Sequence, residues 1–207
     1  MSLAGICGAH RVGKSTLAQE YVKRTGAQYV QSPATQVYRD LGLSTETTHD
    51  FETRLMVQEE ILRRLDAAYA ALDIVKPAVA DRTPIDLLMY TLADVDGGKV
   101  PVHLEERLQR YITDCIGCIN KRLSLLLLVQ PGIPVVYEEG KASLSPGYIE
   151  HCNSLALGLV TDERIRPAHF YIPRAMVDLG ERTDALALAI RKTTQRAVAE
   201  REGMTLH

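Results

Sequence analysis

Leu3-Ala4-Gly5-Ile6-Cys7-Gly8-Ala9-His10-Arg11-Val12-Gly13-Lys14-Ser15-Thr16-Leu17-Ala18 is the stretch whose reading decides the fold. Leu3–Cys7 is a short apolar run that leads straight into a glycine-containing turn, the pattern of a buried strand. From Lys14 onward Leu17, Ala18, Tyr21 and Val22 recur at helical spacing until Gly26. Between strand and helix, Gly8-Ala9-His10-Arg11-Val12-Gly13-Lys14-Ser15 matches G-x-x-x-x-G-K-[ST] in full. The glycines let the backbone turn left-handed and approach an anion closely. The N–H groups of the loop and of the helix start then form an anion nest. Lys14 is expected on the β- and γ-phosphates of a nucleotide and Ser15 on Mg²⁺. Thr16 is expected toward the α-phosphate, and His10 and Arg11 are expected to be exposed, tuning access rather than chemistry. The loop itself is read as holding ATP or GTP.

The same alternation continues outward. Ala27–Val30 reads as a second strand, Ser32-Pro33 as a helix start, and Phe51 to Val75 as a long amphipathic helix ended by Pro77. Ala78–Ala80 is a third short strand that runs into Asp81-Arg82. Thr83-Pro84 opens the next helix, with Thr83 as N-cap and Pro84 in the first turn. Val102–Asn120 is helical, and Ser124–Gln130 is a Leu/Val run suited to a central parallel strand buried on both faces. Tyr148–Val160 (helix), His169–Ile172 (strand) and Thr183–Glu202 (helix) complete the series. Alternating strands and helices predict an α/β fold with a parallel sheet of about five strands and helices on both faces. The ligand then belongs at the carboxyl ends of the strands. The whole of 1–207 is expected to be one domain, with a lid within 131–168.

Composition bounds the rest. The chain has 207 residues, 46% hydrophobic and 24% charged, with a formal charge of −2 at pH 7. No global positive field draws it to nucleic acid or anionic membrane. Its longest apolar run, Leu123–Val129, is too short to cross a bilayer, so a cytoplasmic location without membrane contact is expected. Cys7, Cys115, Cys118 and Cys152 are expected to be reduced thiols, and Cys115/Cys118 reads as small apolar residues on a helix rather than as a metal pair.

A second constellation sits at Asp81-Arg82-Thr83-Pro84-Ile85-Asp86. A carboxylate at the end of a parallel strand faces the phosphate crevice, where Asp81 can hold Mg²⁺ through water or accept a proton from an attacking hydroxyl. Arg82 can clamp a phosphate or carboxylate. The bland alternative is an Asp81–Arg82 ion pair or a helix cap. Asp86 reads as a surface residue of the helix. Leu125–Val129 ends in Gln130 rather than Asp, which argues against a motor-type ATPase. Asn120-Lys121 is followed by Arg122-Leu123, so a guanine-reading NKxD is absent and a GTPase switch is disfavoured.

On Gly8–Ser15, Asp81–Asp86 and the segment Phe51-Glu52-Thr53-Arg54-Leu55 with Gln58-Glu59, the chain resembles the nucleoside and nucleotide kinase group of P-loop proteins. It is most similar to the small AAA-like kinase-type domains of bacterial NAD-metabolism regulators and phage genomes. The resemblance implies a Mg²⁺-dependent phosphotransferase that moves the γ-phosphoryl of ATP to a nucleoside or (deoxy)nucleoside monophosphate. It also implies the P-loop three-layer sandwich with strand order 2-3-1-4-5, and that the Asp81-Arg82 pair lies by the acceptor. Ser32 and Thr35 stand where such relatives often carry a charged acceptor-binding pair, so the acceptor does not carry over. Arg164 and Arg166, and after them Lys141, are expected as lid cations over the phosphates. Gln36, Arg39 and Arg54 read equally as acceptor contacts from helices that overhang the crevice or as solvent-facing residues, and Arg182 is expected to stack on the base. A nucleic-acid acceptor and a nucleotide-dependent regulatory switch stay as alternatives, and a homodimer is allowed for.

Overall fold

The computed structural model describes residues 2–45, 47–95, 99–134 and 145–204. Lys141, with 135–144 of the expected lid, lies outside them. Five parallel strands form one sheet: β1 (Leu3–Cys7), β2 (Gln28–Gln31), β3 (Ala78–Asp81), β4 (Leu125–Val129) and β5 (Ala168–Ile172). Their order is β2-β3-β1-β4-β5, the order expected from the sequence. Register brings Ile6 opposite both Asp81 and Leu127, and Gln31 opposite Asp81. The ends of β1, β2 and β3 therefore meet at one edge of the sheet.

Seven α-helices cover the faces: α1 (Lys14–Thr25), α2 (Ala34–Asp40), α3 (Phe51–Ala70), α4 (Pro84–Ala93), α5 (Glu105–Arg122), α6 (Pro146–Val160) and α7 (Leu179–Met204). α1 packs against α7, while α3, α4, α5 and α6 pack among themselves. Every residue of β1, β3 and β4 is buried, as strands covered on both faces must be. A short 3₁₀ turn, Val102–Leu104, precedes α5. Among the described residues no helix is long and apolar enough to cross a membrane.

The expectation for α3 needs correction. The helix ends at Ala70, five residues before the Val75 expected from periodicity. The Asp73 carboxylate accepts the Val75 N–H at 3.0 Å, a local turn that competes with helix. The Gln28 side chain grips the same turn, accepting from Asp73 N–H at 2.9 Å and donating to the Asp73 carbonyl at 3.0 Å. Ile74 and Val75 consequently face solvent, although they extend the apolar pattern.

The contrast between the central strand and this turn is measurable. Leu126→Ala, at 0% exposure, should cost about 2–5 kcal/mol of stability through lost burial and a residual cavity. Val75→Ala, at 86% exposure, should stay within about 0.5 kcal/mol of the parent. Urea unfolding of the two variants gives both numbers.

Candidate functional site

β1 delivers its last buried residue, Cys7, to Gly8, whose φ is 137°. A side chain there would place Cβ 2.5 Å from the Val129 carbonyl oxygen at the end of β4. Gly8 is thus required by backbone conformation and by close approach together. Arg11 (φ 67°) and Gly13 (φ 83°) also lie in the left-handed region. Left-handed residues among right-handed ones curl the chain into a concavity of N–H groups. α1 starts at Lys14 with no side-chain cap and no acidic residue in its first turn. Its first N–H groups and dipole are thereby left to an anion. Ser15 and Thr16 are exposed at this helix start.

Lys14 is buried, and its ammonium donates to the carbonyls of Gly8 at 2.5 Å and Ala9 at 2.6 Å. Its counter-ion is Asp86, with Oδ1 at 3.5 Å. Asp86 is fully buried, not on the surface as the sequence reading had it. Thr83 and Asp86 form a capping box at the start of α4. Asp86 Oδ2 accepts from the Thr83 N–H at 2.7 Å and the Thr83 hydroxyl at 3.2 Å. Oδ1 accepts the Gly8 N–H at 3.3 Å. One carboxylate therefore joins α4, the first loop glycine and the loop lysine. Burial pushes the Asp86 carboxyl up, opposed by Lys14 and Arg82. Burial likewise pushes the Lys14 ammonium down, opposed chiefly by Asp86. The signal was present in the sequence: Thr83-Pro84-Ile85-Asp86 has capping-box spacing, which turns the fourth side chain back toward the helix start.

Asp81 ends β3 with its side chain buried. Oδ2 accepts the Tyr29 hydroxyl at 3.2 Å, and Oδ1 is buried without a protein partner. Burial, with the Asp81 charge adding to it, pushes the Tyr29 phenol up to about 12. Arg82 follows with φ 73°, its N–H donating to the Ile6 carbonyl at 3.1 Å. Its guanidinium lies 5.8 Å from the Tyr90 ring centre, within the range of a cation–π contact.

Arg82 and Tyr90 line a pocket of about 760 Å³ that His10 and Tyr148 connect to the phosphate loop. Its wall also includes Ser32, Thr35, Arg54 and Gln58. Arg54 Nη1 pairs with Asp94 Oδ1 at 2.9 Å. Arg54 Nε and Gln58 Oε1 are buried without protein partners, one unused donor and one unused acceptor a helical turn apart on α3. Tyr90, Tyr148 and Asp94 were missed in the sequence, and Gln58 entered only through the resemblance, since α3, α4 and α6 bring these side chains together only once the helices pack. A second cavity, about 580 Å³, is lined only by α3 and α5. Cys118 lies there, donating to Asp66 Oδ1 at 3.7 Å. Among the described residues no cluster of His, Cys, Asp and Glu could hold a metal ion.

Three expectations are corrected by geometry, while Gln36 and Arg39 follow their solvent-facing alternative. His10 is buried, not exposed, with its ring 5.5 Å from that of Tyr148. Arg164 and Arg166 precede β5, so they sit where that strand enters the sheet. Asn120, near the end of α5, donates to the Arg164 carbonyl and accepts the Arg166 N–H, both at 2.8 Å. The phosphate loop lies where β1 leaves the sheet, a strand's length of roughly 15 Å away. The Arg164 guanidinium instead makes a two-pronged pair with Asp162, which holds that carboxyl down at about 2. Gln36 and Arg39 are exposed on α2, where Gln36 bonds Asp40. Arg182 is not placed to stack on a base: it is 1% exposed and donates to the Val12 carbonyl at 2.9 Å.

Removing one member of a buried ion pair leaves the other charge uncompensated. Asp86→Ala should therefore cost about 3–5 kcal/mol of stability. Asp86→Asn, which keeps an acceptor for Thr83, should cost less. Denaturant unfolding of both variants checks the order.

Comparison with known proteins agrees with this architecture. The AAA domain family AAA_28 matches residues 5–135. No curated protein sequence matches the chain. Among solved structures, deoxyadenosine kinase from M. mycoides with dCMP and dCDP bound superposes with TM-score 0.63 at 16% identity, covering 92% of this chain and 98% of that one. Thymidylate kinase from Candida albicans gives TM-score 0.63 at 15% identity, over 93% and 92% of the two chains. NadR in complex with NR gives TM-score 0.65 at 13% identity, over 91% of this chain and 50% of that one. With the loop at Gly8–Ser15 and the strand order β2-β3-β1-β4-β5, the chain belongs to the AAA domain family AAA_28 and has the fold of the P-loop nucleoside and nucleotide kinases.

Proposed function

We infer that the protein is a phosphotransferase that moves the γ-phosphoryl of ATP to a small acceptor, a nucleoside or (deoxy)nucleoside monophosphate. The observation that carries this reading is the pocket of about 760 Å³ beside the phosphate loop, with Arg54 Nε and Gln58 Oε1 buried and unused in its walls. That volume falls within the range of small-molecule sites, about 300–1,000 Å³. A buried donor and acceptor without partners are costly unless a ligand or water satisfies them. Tyr38, Tyr90 and Tyr148 offer ring surface to a planar group. A single acceptor molecule suits such a pocket better than a polynucleotide does.

In the proposed reaction an acceptor oxygen bonds to the γ-phosphorus while the bond from that phosphorus to the β,γ-bridging oxygen breaks. ADP leaves; with a nucleoside acceptor the hydroxyl proton passes to a carboxylate, whereas an ionised monophosphate oxygen attacks with no proton to lose. Loop N–H groups, and Lys14 on exchanging the Gly8 and Ala9 carbonyls for phosphate oxygens, would neutralise the phosphates. Asp81 Oδ1, buried and without a protein partner, fits an interaction directed into the site. It is assigned to metal support and to proton acceptance. Ser15 and Asp81 are the residues that would hold Mg²⁺, which supplies charge neutralisation on the phosphates when bound. Arg82 is assigned to the acceptor side.

A screen of ATP consumption against nucleosides, nucleoside monophosphates and short DNA tests the reading. Turnover with a nucleoside or monophosphate is expected. Binding of ATP with no turnover on any acceptor would favour a regulatory switch instead. With the acceptor in hand, Asp81→Asn should lower kcat by at least about a hundredfold while changing the KM for ATP less than about threefold. Near-normal turnover in that variant would leave Asp81 a structural role with Tyr29.

A further inference from the structure

α7 begins on a cap made by Asp178, whose Oδ1 accepts the Glu181 N–H at 2.9 Å and whose carbonyl accepts the Arg182 N–H at 3.1 Å. This places Arg182 in the first turn with its side chain buried, at 1% exposure. Arginine is rarely so enclosed unless its donors have defined partners. Nε donates to the Met176 carbonyl at 2.7 Å, in the connection between β5 and α7. Nη1 donates to the Val12 carbonyl at 2.9 Å, in the phosphate loop. Nη2 is buried with no protein partner. One guanidinium therefore ties the start of α7 to the loop that closes over the site.

The bond to Val12 has a consequence for Gly13. A trans peptide holds its C=O and N–H in one plane, pointing in opposite directions across the C–N bond. With the Val12 carbonyl turned onto Arg182, the Gly13 N–H of the same amide unit points away from the guanidinium. The unit is also packed in place. A Cβ on Gly13 would stand 3.0 Å from Ile133 Cδ1 and 3.1 Å from Arg182 Nη1. A cation on the carbonyl polarises the amide and strengthens its N–H as a donor, because bonds in a chain reinforce one another.

We propose that Arg182 is a positioning residue of the phosphate loop: it fixes and polarises the Val12–Gly13 amide so that the Gly13 N–H donates to a bound polyphosphate. The proposal rests on reading Gly8–Ser15 as a polyphosphate site, and it gives Arg182 a role through Gly13 rather than on the base. Lysine keeps the charge at this position but lacks the fork that spans two carbonyls. Methionine keeps the bulk and loses both.

Calorimetric titration with sodium tripolyphosphate, which has no base or sugar, tests the proposal on the whole chain. Arg182→Met should weaken tripolyphosphate binding by at least about tenfold, with Arg182→Lys between it and the parent. A variant-free readout comes from NMR of the parent protein. The Gly13 amide and the Arg182 Nε–H should shift together along one tripolyphosphate isotherm, and this decides the matter if a variant fails to fold. Parent-like affinity in both variants, or a Gly13 amide and an Arg182 Nε–H that stay unmoved while Lys14 and Ser15 amides shift, would overturn the proposal. No binding of tripolyphosphate or ATP by the parent would instead overturn the underlying reading of the loop.

Discussion

A buried lysine held by a buried aspartate organises this molecule. Lys14 must keep a charge at the base of a loop that strand packing has driven into the interior, and an isolated ammonium there would lose its proton or its place. Asp86 supplies the compensating charge at 3.5 Å. Because it also accepts from Gly8 and Thr83, it fixes the geometry of the two segments that leave β1 and β3. Such a pair contributes little net stability by itself, since desolvation offsets most of the attraction. Its effect is positional: loop, helix start and strand ends hold one relative arrangement.

From that arrangement the rest of the site follows. The all-buried strands β1 and β3 place the loop and Asp81 at the same edge of the sheet, and Arg82 turns off β3 in a left-handed conformation toward Tyr90. α3, α4 and α6 then close a pocket on the side that His10 and Tyr148 share with the loop. From the opposite side Arg182 bonds the loop at Val12. The loop is thus held by an anion, Asp86, at Gly8 and by a cation, Arg182, at Val12.

Much of this was legible in the sequence because it is local. Gly8–Ser15 carries its structure in consecutive residues, Leu125–Val129 has no amphipathic alternative, and the strand order came with the resemblance that the loop motif carries. What was not legible depends on distance through space. Arg164 and Arg166 were misread as lid cations although the sequence allowed better: in a parallel sheet the residues that precede a strand lie at its amino end, away from the phosphate loop. Asp86 read as a surface residue because its acidity outweighed its capping-box spacing. Arg182 read as a base contact because it follows the last strand, whereas the turn of α7 aims it inward at Val12. The overlong α3 reflects apolar residues, Ile74 and Val75, that fit helical periodicity but are held in a turn by Asp73 and Gln28.

The central claim is that the Gly8–Ser15 loop, with its lysine, is a nucleotide polyphosphate site. Isothermal titration of ATP with Mg²⁺ into the parent protein and into Lys14→Ala tests it most directly. The account predicts saturable one-to-one binding by the parent and a loss of at least about tenfold in affinity in the folded variant, from the missing charge-assisted contact. Equal affinity in the two proteins, or no heat of binding in the parent at millimolar ATP, would contradict it.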